Sequence, residues 1–140
     1  MKQNLLLTIT SLLSILFMTL HLTGDTIRAS AGTSEAGGST LSAVPILVVW
    51  LYGTLVLVER RSGYVIILLG SLLGLVVPVI HMKGAGVGGT LAKSSGAFFF
   101  IWTLIALGVT ALFSAILSAR ALWEHLPRQT HVQDKQGARA

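Results

Sequence analysis

Four stretches of this chain contain no Asp, Glu, Lys or Arg: residues 4–22, 41–58, 64–81 and 97–118. A helix of about 20 apolar residues crosses the hydrocarbon core of a bilayer, and each run is close to that length. Inside lipid no water reaches the backbone, so a single run can satisfy its own N–H and C=O groups only as a helix. The Val-rich second and third runs would read as buried strands in a soluble chain. Their length and lack of charge override that reading. The expected fold is all-α, an integral membrane four-helix bundle of two helical hairpins. Residues 1–126 form one four-span domain, and residues 127–140 form a polar, disordered cytoplasmic tail.

Composition narrows the function classes. Hydrophobic residues make up 53% of the 140 and charged residues 11%, against roughly 25% charged in soluble domains. An ordinary soluble globule and a disordered chain are both excluded. The net charge of +5 does not indicate a nucleic-acid partner, because most of the basic residues flank the apolar runs rather than forming one patch. With no cysteine, disulfides, iron–sulfur clusters and Cys-zinc sites are ruled out.

The basic residues set an orientation, since Lys and Arg concentrate on the cytoplasmic side. With the N-terminus inside, Lys2, Arg60, Arg61, Arg120, Arg128, Lys135 and Arg139 are cytoplasmic, and Arg28, Lys83 and Lys93 are outside. Both termini are therefore expected inside. Glu59-Arg60-Arg61-Ser62-Gly63 reads as a tight cytoplasmic turn between spans two and three. A cleaved signal peptide ending near Ala29-Ser30-Ala31 is the rival for span one. Against it, the apolar run is long and the gap to Ala31 carries Asp25 and Arg28. The two outer connections are rich in small residues and read as mobile linkers. Tyr64 and Trp123 are expected as aromatic anchors at the membrane–water interface. The general plan resembles the small four-span inner-membrane proteins of bacteria, which places the chain in an inner membrane.

Helical spacing assigns faces. Ser11, Ser14, Met18, His21 and Asp25 follow at steps of three and four, one face of span one if its helix continues to Asp25. Gly70, Gly74, Val77 and His81 do the same on span three. Gly70-x-x-x-Gly74 is a spacing that lets two membrane helices approach closely. Gly70, Gly74, Ser11 and Ser14 are the expected packing residues. Pro78 should kink span three. Thr103, Thr110, Ser114 and Leu117 line one side of span four, and Trp50 and Tyr52 are expected to point into the bundle or at another subunit.

The chemistry-bearing residues gather at the outer end. His21 and His81 end two spans that run in the same direction, Asp25 is one turn beyond His21, and Met82 follows His81. Histidine, carboxylate and thioether together suit copper or another imidazole-preferring metal, and two axial histidines suit a b-type haem. The competing reading is that the imidazoles only hydrogen-bond each other, a carbonyl or water, and a proton-linked or quinone-contacting role is a third. His125 and His131 fall on the opposite side and cannot join. The glycine run at 84–89 lacks the Gly-Lys-Ser/Thr ending and the preceding strand of a phosphate loop. No ionisable group sits at midmembrane depth, where coupled transporters keep one. Nothing pairs a nucleophile with a base, so no enzymatic activity is expected. Three functions remain open: an accessory, assembly or self-associating subunit, as a homo-oligomer or in a larger membrane complex; a metal- or haem-binding redox protein; and an oligomeric permeation or efflux component.

Overall fold

The computed structural model describes residues 2–30, 40–57, 59–84 and 95–124. Of the outer linkers expected at 23–40 and 82–96, residues 31–39 and 85–94 lie outside the described residues, as do the tail with His125 and His131 and the side chain of Met82; residues 23–30, 82–84 and 95–96 are helical instead, as continuations of the spans. Four helices account for nearly all the rest: α1 (Lys2–Ser30), α2 (Thr40–Leu55), α3 (Arg61–Gly84) and α4 (Ser95–Glu124). Three segments, Gln3–Ile27, Arg61–His81 and Phe98–Glu124, are long and apolar enough to cross a membrane. The second helix is shorter than its apolar run implies. At 16 residues it is about 24 Å long at 1.5 Å per residue, short of a full hydrocarbon core.

The surface is more apolar than parts of the interior. Leu6, Ile9, Leu13, Leu16, Leu73, Val76, Ile105 and Phe113 are exposed, whereas Ser11, Ser14, Ser71, Ser114 and Ser118 are buried. In water such a surface would drive aggregation. Facing lipid, it leaves helix association to close packing of small residues and to internal hydrogen bonds. These features mark a membrane protein.

Contacts at the two ends fix how the helices meet. Leu7, Tyr64, Ile67 and Ala121 form one buried cluster, so the starts of α1 and α3 meet the end of α4. Ile15, Met18, Trp50 and Leu107 form a second cluster nearer the other end. The helix pairs α3–α4 and α1–α4 make the most extensive contacts, and α2 packs on α3 and α1. Between α2 and α3 the chain reverses within five residues. Arg60 N–H donates to the Leu57 carbonyl at 2.8 Å. Gly63 backs against that carbonyl, and a Cβ on it would lie 1.8 Å from the oxygen, so only glycine fits there.

Trp50 organises the middle of the packing. A Cβ on Gly70 would meet its Cδ2 at 2.4 Å, and one on Gly74 would meet Ala111 Cβ at 3.2 Å and Trp50 Cη2 at 3.4 Å. The glycine face of α3 is thus filled by this chain's own indole. The indole N–H donates to Ser11 Oγ at 3.0 Å, Ser11 and Thr54 hydroxyls lie 2.7 Å apart, and Thr54 Oγ1 donates to the Trp50 carbonyl at 2.9 Å. Thr54 has one hydroxyl proton and gives it to Trp50, so Ser11 must donate to Thr54. A buried, closed set of bonds therefore clips α1 to α2. Ser14, also buried, donates to the Thr10 carbonyl at 2.8 Å.

Three aromatic expectations need correction or refinement. Tyr52 is exposed while Trp50 is buried; two positions apart on a helix differ by about 200°, so of the two expected directions Trp50 takes the inward one and Tyr52 the outward one. Tyr64 is not an outward anchor. It is 2% exposed and donates its hydroxyl to Asn4 Oδ1 at 3.2 Å, because its ring completes the cluster at that end. Trp123, at 78% exposure, does project outward. α3 continues through Pro78 to Gly84. The proline ring lies against Gly108, where a Cβ would be 3.6 Å from Pro78 Cγ.

Candidate metal centre

Helix α1 does not stop at the end of its apolar run. It continues through Thr23 and Gly24 to Ser30, which keeps Asp25 one turn above His21 on the same face. Helix α3 likewise carries His81 past Pro78. The offset between the two helices is constant: Asn4 bonds Tyr64 at one end, and His21 meets His81 at the other, sixty residues apart in both cases. The two imidazoles therefore arrive at one level.

Their donor atoms converge on one carboxylate oxygen. His21 Nε2 lies 3.2 Å from Asp25 Oδ2, and His81 Nε2 lies 3.8 Å from the same atom. One donor atom from each of the three residues lies within 4.8 Å of the others. The rings of His21 and His81 are in edge contact, with centroids 4.7 Å apart and planes at 89°. His21 is buried, Asp25 is mostly covered, and the His81 side chain is 35% exposed, so the cluster has one open side.

The tautomer of His81 follows from its other nitrogen. Nδ1 lies 2.9 Å from the Val77 carbonyl oxygen. A carbonyl only accepts, so Nδ1 carries the proton and neutral His81 presents an Nε2 lone pair. Nε2 stands 3.8 Å from Asp25 Oδ2, too long for a hydrogen bond. A backbone carbonyl that fixes one ring nitrogen while the other faces a ligand position is the usual support of a metal-binding histidine.

Phe100, near the start of α4, lies 5.1 Å from His21 and 5.8 Å from His81, ring centre to ring centre. It shields the cluster on the α4 side and was not visible among the sequence candidates. Its only signal is its place near the start of span four, the end that an antiparallel helix brings to the ends of α1 and α3. A b-type haem does not fit here. Axial imidazoles stand on opposite faces of a porphyrin, whereas these rings touch edge to face with Phe100 beside both. Of the other sequence candidates, Ser11, Ser14, Gly70 and Gly74 belong to the middle of the packing. Tyr64 and Trp123 sit toward the opposite end. No protein-family model, no curated protein and no solved structure matches this chain.

Proposed function

We propose that this is a multi-pass inner-membrane protein that binds a divalent transition metal at its outer end through His21, Asp25 and His81. The observation that carries the reading is the approach of both Nε2 atoms to Asp25 Oδ2, at 3.2 and 3.8 Å. With metal–ligand bonds of about 2.0–2.2 Å, tetrahedral ligand atoms lie about 3.4 Å apart; both distances to the carboxylate oxygen are within a few tenths of an ångström of that, and the three donor atoms, within 4.8 Å of one another, would draw together around the ion. Two imidazoles and one carboxylate suit zinc or copper(II). The exposed edge of His81 leaves room for a fourth ligand from the external side. Such a site would serve metal capture or hand-over within a larger membrane assembly.

The proposed topology has four crossings and both termini in the cytoplasm. Its support is the seven basic residues against three noted above. A second support is that α2 must return the chain from the far end of α1 to the start of α3, beside the start of α1. Zinc titration of the purified full-length protein tests the function. One equivalent should bind, and His21→Ala, Asp25→Asn or His81→Ala should each weaken binding about tenfold or more. Equal binding by wild type and all three variants would overturn the reading.

A further inference from the structure

The middle of the helix packing holds a second polar group, separate from the outer histidines. The sixty-residue offset of α1 and α3 puts Ser11 opposite Ser71. On the other side of α3, Gly74 faces Ala111 and Pro78 faces Gly108. The antiparallel register that these pairs define puts Ser71 opposite Ser114. Three serines from three helices therefore share one level, and all three are fully buried.

Their hydrogen bonding is unequal. Ser11 accepts from Trp50 and donates to Thr54, which leaves it one lone pair. Ser71 Oγ and Ser114 Oγ have no hydrogen-bond partner among the described residues. A buried hydroxyl left unpaired is costly, and such groups in proteins are ordinarily met by another group or by water. Apolar clusters close the layer on both sides: Leu7, Tyr64, Ile67 and Ala121 toward one end, and Ile15, Met18, Trp50 and Leu107 toward the other.

We propose that one ordered water molecule is bound at this level and bridges Ser71, Ser114 and Ser11. It accepts from the Ser71 and Ser114 hydroxyls and donates to the free lone pair of Ser11. Three bonds are the usual complement of a buried water. A cation is disfavoured, because no carboxylate reaches this depth to balance its charge. The sealing clusters make this a structural water that joins α1, α3 and α4, rather than a station on a conduction path.

Two measurements on the full chain test it. In a crystal structure at about 2 Å or better, density for a water should lie between Ser71 and Ser114. In thermal unfolding in detergent, Ser71→Ala and Ser114→Ala should each lower Tm by a few degrees. The double variant should lose less than the sum, since both remove the same bridge. The water is contradicted if the hydroxyls bond the carbonyls of Ile67 and Thr110 with no density between them. It is equally contradicted if either alanine variant leaves Tm unchanged or raises it, because removing an unbridged hydroxyl relieves a burden.

Discussion

The indole of Trp50 occupies the place where Gly70 lacks a side chain. A Cβ at position 70 would come within 2.4 Å of the ring. Gly70→Ala should therefore displace the ring and destabilise the protein by about 1–3 kcal/mol, the usual cost of overpacking. Gly74→Ala should cost less, because its nearest neighbours would stand at 3.2 and 3.4 Å. Gly108→Ala should be tolerated, with Pro78 at 3.6 Å. Thermal unfolding in one detergent checks the order. A Gly70→Ala protein as stable as wild type would show that the indole does not fill this space.

The bonds among Trp50, Ser11 and Thr54 predict a coupling. Ser11→Ala leaves the buried indole N–H without its acceptor and should cost about 1–3 kcal/mol. In a Trp50→Phe background that N–H is gone, so the same substitution should cost clearly less. A double-mutant cycle on unfolding free energies reads the difference, and strictly additive effects would argue against the bond.

At the opposite end from the histidines, Tyr64→Phe removes one bond to Asn4 and keeps the ring in its cluster. The expected loss is about 0.5–1.5 kcal/mol. Trp123→Ala removes an outward ring with little internal contact, so unfolding in detergent should hardly change. A larger loss from Trp123→Ala than from Tyr64→Phe would reverse the roles drawn from their burial.

Metal binding should weaken as pH falls from about 8 to 5. Imidazole binds a metal only when neutral, so protons compete directly for the ligand positions. Zinc affinity measured across that range should drop steadily, with protons released on binding at the acidic end. An affinity independent of pH would exclude histidine ligation.

Much of the architecture was legible because lipid imposes it. The charge-free runs specify helices, and the three- and four-residue steps placed Ser11, Ser14, Met18 and His21 on one buried face. The convergence of His21, Asp25 and His81 could be anticipated from direction and level, since α1 and α3 end together. Other features depend on tertiary register, which periodicity does not carry. Gly70 and Gly74 looked like a contact for another helix of any origin, and nothing local to them names Trp50 as the occupant. Tyr64 reads as an interfacial residue by position, yet cluster formation with Leu7 and Ala121 turns it inward. Phe100 is one of three consecutive phenylalanines, and only the packing of α4 selects it as the ring beside the imidazoles.

The claim that His21, Asp25 and His81 hold one metal is tested most directly by X-ray absorption spectroscopy of the zinc-loaded, full-length protein in detergent. A first shell of nitrogen and oxygen at about 2.0–2.1 Å is expected, with the outer-shell scattering of two imidazoles. In His81→Ala one imidazole contribution should disappear. A spectrum with no imidazole scattering, or one that His81→Ala leaves unchanged, would contradict it.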